Sequence, residues 1–591
     1  MDDHVYRILE SAQARGLIAP MSGVRPYTRA VVERAIREML LPGNSGRLSA
    51  LERRVLEDRL ADLRRPEPGL DLRRGIFFAE SAMGRAETPL SFFLDLSADF
   101  QASASLVPEL GETSVDMEGW LRINFSGDIG RNVSYGLYNE AGLIRAQRRS
   151  LGLYNTYYEG FSGWDERFEN RLIRIYGGPI THFPFSYEKR WDGSIFPLDD
   201  PANSSFSGWP NEYSIGYGLH AEIAASFLDD ALILRMGRMR REWGSTPVGT
   251  GLMYNAAARP FLAAEAEFSP FSWITFSSIT GILEYENREG IRDSALAFQN
   301  AFSMIMLQLR LGNYLFLDLF DAAIWPKRFE FGYMFPLTSN LLTQNNIGYF
   351  DNMAIGMNLV AQYPGLGNVW ASLFVDEMAP QKDMWNLSRT MIAYQGGLNF
   401  PLPLWAFTNL RLSYTKINPF AYTHTRNTNP WNNGIMHTGW QHNGAALGHY
   451  LPPNSDEFMA QLRTMPARGL TTTFQYQLIR RGANFGSGAV MGSDLFSELD
   501  PASRSENPRL RRYFLRDGTY QWMHIARLNA EWSLPGLPIA IFGEAGAVFS
   551  RFTGIDGPSN SGEPRPFSRI DTPEYPTTTT VLFKLGITVL R

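Results

Sequence analysis

Cysteine is absent from all 591 residues, which excludes disulfides, thiolate metal sites and cysteine nucleophiles. Lysine is almost absent too: Lys189, Lys327, Lys382, Lys416 and Lys584 stand against an abundance of arginine. Arginine's planar fork suits fixed networks inside a lumen, although an arginine-rich genome gives the same bias. Charged residues make up 19%, against roughly 25% in soluble domains. A net charge of −5 and the lack of a long basic run speak against nucleic acid as a partner. Unbroken apolar runs are missing as well. The uncharged stretches 352–375 and 390–410 are studded with Pro364, Gly365, Gly367, Gly396, Gly397, Pro401 and Pro403, so neither makes a spanning helix. No GxSxG elbow, HExxH or HxxEH spacing, or glycine loop ahead of a helix occurs. The expectation is a non-enzymatic chain without metal or cofactor. Met1-Asp2-Asp3 carries no export leader, so an exported protein would here be a mature chain with an added start methionine.

What the chain has is aromatic residues and alternation. Aromatics reach 13%, as the girdles flanking the apolar band of a barrel require. In FFLDLSADFQASASL, residues 92–106, the even positions are Phe92, Leu94, Leu96, Ala98, Phe100, Ala102, Ala104 and Leu106. After Phe93 the odd ones are Asp95, Ser97, Asp99, Gln101, Ser103 and Ser105. Successive strand side chains point to opposite faces, so this ribbon is oily on one side and wet on the other. Its length is the stronger signal, because a tilted membrane strand needs about 9–11 residues and ordinary strands about 5–6. The last strand repeats the pattern, with Val581, Phe583, Leu585, Ile587 and Val589 alternating with Leu582, Lys584, Gly586 and Thr588. A mean hydropathy of −0.21 fits a chain in which half of each strand faces water.

The period of two recurs in 117–129, 132–138, 214–228, 231–241, 261–268, 300–311, 314–320 and 329–335. It continues in 368–375, 391–400, 409–416, 457–464, 470–478, 520–534, 538–549 and 577–590. The fold expected is an all-β transmembrane barrel of about 16–18 antiparallel strands, even in number. The gaps 150–171, 419–456 and 485–518 are too long for periplasmic turns and are expected as extracellular loops or inward folds.

Before residue 66 the period is helical. Val5, Ile8, Leu9 and Ala12 share one face, with Gly16 at the C-cap position. Thr28 can cap a second helix bearing Val32, Ile36, Met39 and Leu40, stopped by Pro42-Gly43. Ser49 and Glu52 form a capping box for a third, with Val55, Leu56, Leu60 and Leu63 on its apolar face. Such short helices cannot stand alone, so they should pack on one another and on the barrel. The division expected is 1–85 as a small N-terminal α-helical bundle plugging the periplasmic side and 86–591 as the barrel.

Two clusters carry candidate chemistry. RMGRMRREWG holds Arg235, Arg238, Arg240 and Arg241 at one strand end, followed by Trp243. Lipid-facing arginine costs about 2–4 kcal/mol at mid-bilayer, so Arg235 and Arg241, of one parity, should face the lumen. Arg238 and Arg240 have the other parity, so the strand should have left the membrane or bulged there. The cluster reads as an anion-attracting patch or, equally, as an ion network with Glu222, Glu265 and Glu267. Residues 420–450 gather His424, His437, His442, His449, Trp431 and Trp440 among Asn and Gln. Rings that stack on pyranose faces beside amides that bond hydroxyls suit sugar recognition. A metal site and a plain polar loop are the alternatives.

With these motifs in hand, the chain resembles the Wzi capsule-assembly family of outer-membrane proteins. The likeness runs through HVYRILESAQARGLI, RPYTRAVVERAIREML, RMGRMRREWG, NAAARPF, FDNMAIGMNL, WASLFVDE, LRLSYTKINPFAYTH and GAALGHYLPPNSDEF, in that order. It departs at Ser245-Thr246, Ser413 and Pro452-Pro453. The resemblance implies a large barrel closed from the periplasm by helices, acting as a monomeric surface lectin. Its implied partners are polysaccharide, outer-membrane lipid and the polysaccharide export machinery. Arg235, Arg238, Arg240, Arg241, Trp243, Tyr414, His424, Trp431, Trp440 and His449 are the expected ligand contacts. The head also resembles an S-layer-homology unit, with Tyr6 and Thr28-Arg29 matching its first helix and turn, so the alternative is a porin with a periplasmic tether.

Overall fold

In the computed structural model the residues described are 3–63, 67–71, 75–84, 87–145, 194–197, 213–256, 258, 260–284, 299–312, 314–326, 330–335, 338–347, 351–378, 385, 390–426, 436–442, 445–483, 492–493, 495, 514–516, 518–554, 568–570 and 577–590. Eighteen antiparallel strands close into a barrel. They begin with Thr88–Val107 (β1), Glu112–Ile129 (β2), Val133–Arg145 (β3), Tyr213–Phe227 (β4), Leu232–Met239 (β5) and Phe261–Phe271 (β6). Ile274–Glu284 (β7), Gln299–Leu311 (β8), Leu315–Pro326 (β9), Asn352–Tyr363 (β10), Gly367–Glu377 (β11) and Met391–Pro401 (β12) follow. Ala406–Ile417 (β13), Ser455–Ala467 (β14), Leu470–Ala483 (β15), Thr519–Ser533 (β16), Ile539–Gly554 (β17) and Thr578–Val589 (β18) complete the wall. β18 pairs with β1 from Val581↔Leu106 to Val589↔Ala98, which removes any open edge.

Alternation becomes sidedness. Phe100 is 56% exposed on the outer face, and its neighbour Asp99 is 5% exposed inside, paired with Arg122. At one rim strands are joined by short turns such as 130–132, 228–231, 272–273, 364–366 and 468–469. At the other they are joined mostly by long segments, among them 240–260, 327–351 and 418–454. The outer face of the short-turn rim carries exposed Trp273, Tyr314, Tyr363, Trp405 and Trp532, a girdle of the kind that sits at a membrane–water boundary. Among the described residues no helix is long and apolar enough to cross a membrane.

The helical head packs at the short-turn rim as Asp3–Arg15 (α1), Arg29–Met39 (α2) and Ala50–Leu63 (α3). Thr28 caps α2 by accepting from Val31 N at 3.3 Å. The capping box of α3 is complete, Glu52 N to Ser49 Oγ at 3.2 Å and Ser49 N to Glu52 Oε2 at 2.8 Å. The apolar faces meet as expected: Ile8, Leu9, Ala12, Val32, Ile36, Met39 and Leu56 form one core that extends onto Ala406, Phe407 and Met465 of the wall. Gly16 sits at φ +64° with a would-be Cβ 2.6 Å from Pro364, so only glycine lets α1 end against the turn 364–366.

Three features differ from the sequence expectation. Phe331–Met334, expected within a strand, is a single helical turn (α4) followed by Asn340–Ile347 (α5) in the β9–β10 connection. Its Tyr333 is buried on Trp325 at 4.8 Å between ring centroids and donates to Asp351, so tertiary packing overrides the local alternation. β7 and β10 were not anticipated. Residues 69–71 and 76–83, assigned to the helical segment, form a hairpin whose second strand pairs with the start of β1.

Candidate functional site

The lumen is obstructed at two levels. On the long-segment side, the described parts of 240–260 and of 418–454 fold inward and meet. Trp440 Nε1 donates to Met253 O at 2.8 Å, Tyr422 Oη to Leu252 O at 3.0 Å, and Asn255 N to Leu447 O at 2.8 Å. Trp440 packs against Phe302 at 5.5 Å and Phe374 at 5.6 Å, centroid to centroid. The wall answers with apolar lumen-facing side chains, including Met304, Met306, Phe320, Ile324, Met391 and Ile479, in the same core. Desolvation raises the Tyr422 hydroxyl above its ordinary pKa and pushes the His449 imidazole down to about 3, so that ring is neutral. His449 accepts from Leu451 N through Nδ1 and stacks on Tyr450.

On the short-turn side the closure is polar. The segment Val24–Arg25 pairs with Glu242–Trp243, so the chain after α1 threads into the lumen and meets the first inward segment. Arg25 donates to Gly244 O at 2.7 Å and Thr246 O at 3.0 Å and lies 3.8 Å from the fully buried Glu242 carboxylate. Burial pushes the Glu242 carboxyl up, opposed by Arg25 and by the Gly249 and Gly251 amides. Glu10 on α1 reaches two wall arginines, Arg411 at 3.0 Å and Arg463 at 3.3 Å, and accepts Val248 N at 2.5 Å. Asp58 on α3 pairs with Arg468 at 2.7 Å, and His4 lies 3.1 Å from Glu531.

The expected contact residues fall into these layers. Arg235 faces the lumen on Glu265 and Glu267, and Arg241 pairs with Glu265, which makes this part of the cluster a wall network. Glu222 does not join it and accepts from Tyr138 instead. Arg238 donates to the Leu219 carbonyl across β4–β5, and Arg240, just past the end of β5, donates to Ala256 O. Trp243 is 1% exposed and Trp440 is 0% exposed, so neither ring offers a face to a polymer. His424 and His449 are buried with them. Tyr414 lies apart on the outer face of β13, its hydroxyl donating to Asp456 at 2.9 Å. Trp431 lies outside the described residues. Among the described residues no group of His, Asp and Glu is placed to hold a metal.

Three rings that the sequence reading passed over are exposed on the long-segment side. They are Phe331 and Phe335, 5.9 Å apart, and Trp385, 63% exposed in the β11–β12 connection. Only a lone Trp in a short charged loop marked the last of these.

Fold and lumen together define an outer-membrane-type β-barrel with a helical head. Among solved structures, the chain is similar to Wzi of Escherichia coli, described as an outer-membrane protein involved in group 1 capsule assembly and a carbohydrate-binding β-barrel. The two share 10% identity over 100% of this chain and 98% of that one, with a TM-score of 0.51. Pseudomonas aeruginosa OprD matches at 10% identity over 84% of this chain and 95% of its own, TM-score 0.37. Acinetobacter baumannii OccAB2 matches at 8% over 84% and 97%, TM-score 0.39. No protein-family model matches the chain, and no curated protein does.

Proposed function

We propose that the protein is a non-enzymatic, lectin-like barrel that holds exported polysaccharide at the outer surface of the outer membrane. The observation that carries this reading is the lumen obstructed at two levels: a diffusion porin needs an aqueous path, and here an apolar layer and a docked helical head both stand across it. The likeness to a carbohydrate-binding barrel supports a glycan ligand; export machinery as a further partner and a monomer as the working state are parts of the same proposal. Short turns face the periplasm in outer-membrane barrels and long loops face outward, which favours a periplasmic head and a surface position for Phe331, Phe335 and Trp385. Flat exposed rings on that side are the stacking platforms this reading requires.

Single-channel conductance tests it. The full-length protein in a planar bilayer should be silent, and steady conductance would make it a porin with a helical tether. Trp385→Ala together with Phe331→Ala should release polysaccharide from cells while leaving thermal stability within about 0.5 kcal/mol, as expected of surface positions. Unchanged retention would remove the platform.

A further inference from the structure

A row of charged side chains crosses the outer face of the wall near its long-segment end. Paired in register across β13 to β17 are Lys416↔Asp456, Asp456↔Arg480, Arg480↔Trp522 and Trp522↔Arg551. Each shares the strand parity of an exposed neighbour, Tyr414, Phe458, Phe474, Leu528 or Phe549, so the row lies on the outer face. Between it and the short turns, the outward positions of β15, β16 and β17 hold no Asp, Glu, Lys or Arg. Trp522 stands ten residues along β16 from Trp532 of the short-turn girdle. At about 3.3 Å per residue and a tilt of about 40°, that is roughly 25 Å along the membrane normal, the height of the apolar band. The row therefore sits at the second boundary of the bilayer. There a lipid-facing arginine costs little and the charged headgroups of lipids begin.

The charges in the row do not cancel. Asp456 is its one acid, and it accepts from Arg480 Nε at 2.9 Å and from the Tyr414 hydroxyl at 2.9 Å. Lys416 is covered, 7% exposed, with the Phe514 ring over its ammonium. Arg551 makes no ion pair among the described residues, and its guanidinium lies 4.7 Å from the Trp522 ring centre. Arg480 lies over the same side chain at 5.1 Å. Trp522 is itself anchored, its Nε1 donating to Thr553 Oγ1 at 2.9 Å. Two half-buried guanidiniums thus stand at one fixed indole against a single carboxylate. Stacking uses the face of a guanidinium and leaves its N–H edge for an anion, and phosphate fits that fork.

We propose that Arg480, Trp522 and Arg551 form a seat for the phosphate of a membrane lipid on the outer face of the barrel. The two guanidiniums bridge the phosphate, and the acyl chains lie down the uncharged outer faces of β15 to β17. With the long segments outward, as proposed above, the leaflet is the outer one and the lipid a phosphorylated glycolipid. Only that choice of leaflet rests on the earlier reading. The seat itself stands on register, depth and unbalanced charge, and it is measured without any polysaccharide.

Titration of lipid A into the full-length protein in an uncharged detergent tests it, with native mass spectrometry of the complex as the readout. Phosphorylated lipid A should bind at least about tenfold more tightly than the same lipid stripped of phosphate, the worth of one charge-assisted contact. Arg551→Gln should lose about that factor for the phosphorylated lipid. Its binding of the stripped lipid should stay as in the parent, which also shows that the variant is folded. Arg480→Gln with Asp456→Asn removes a cation and its partner together and should weaken binding in the same way. Arg131→Gln takes one exposed cation from the short-turn rim and should leave binding unchanged. Inorganic phosphate at matched concentration should not displace the lipid, because the chains on the wall supply the rest of the affinity. Equal binding of the two lipids, or an Arg551→Gln protein that binds like the parent, overturns the proposal. So does a loss in Arg131→Gln as large as in Arg551→Gln, which would make the effect one of net charge. Displacement by inorganic phosphate would overturn the assignment to a lipid.

Discussion

The two obstructions of one lumen differ in how much charge they bury. The upper one is apolar: Trp440, Tyr422, Met253 and Leu252 sit in a shared core with the wall, and both ends of each inward segment continue into strands. The lower one combines an apolar contact of the head with Ala406, Phe407 and Met465 and a polar seam, in which Glu10, Arg25, Asp58 and His4 make ion pairs and carbonyl contacts. Apolar burial is non-directional and hard to reverse locally, whereas charge pairs in a partly wet seam are sensitive to salt, pH and competing ions. The comparison teaches that the upper layer rests on apolar burial, while the hold of the lower one depends in part on charge pairs and so on salt and pH.

Four measurements sharpen or break that contrast. Trp440→Ala should cost the whole barrel about 3–5 kcal/mol, read in denaturant unfolding, because it empties the middle of the upper core. Arg25→Met leaves the Glu242 carboxylate buried without its cation, a change worth about 3 kcal/mol. The loss should appear as head undocking in hydrogen exchange, with the strands still protected. Equal deprotection of strands and head would show that the two closures are one cooperative unit.

The third measurement is pH. His449 is neutral in the fold, and its pKa of about 3 lies below the ordinary 6.5. Below pH 6.5 the unfolded chain therefore binds more protons than the folded one, and stability falls with pH down to about 3. The slope should approach about 1.4 kcal/mol per pH unit, and His449→Phe should flatten it. Stability should be level in pH above that window as far as this group is concerned. The smallest effect belongs to Asp58→Ala, an exposed pair with Arg468 worth at most about 1 kcal/mol and lost in high salt.

How far the sequence could be read follows the range of the interactions involved. Thr28, the Ser49–Glu52 box and Gly16 were legible because a helix end is decided within a few residues. β1 and β18 were legible because one face meets lipid and the other a polar lumen. β7 escaped notice because its lumen face carries Ile279 and Leu283, which join the apolar core and erase the contrast between faces. In β10 the inward Ala354 does the same. The aromatic cluster at 420–450 was visible, but its role was not: Trp440 and Trp385 are the same residue type in loops, one buried and one on the rim.

By itself the sequence determined the local periods, the capped helices, the strand lengths suited to a bilayer and the absence of thiol chemistry. Each of these rests on neighbours in the chain and on the solvent a face must meet. Only the tertiary structure decided that two long connections turn inward, that Arg235 and Arg241 are spent on wall carboxylates, and that Glu10 meets Arg411 and Arg463. Those outcomes join residues hundreds of positions apart, and no local pattern encodes which buried charge will find which partner.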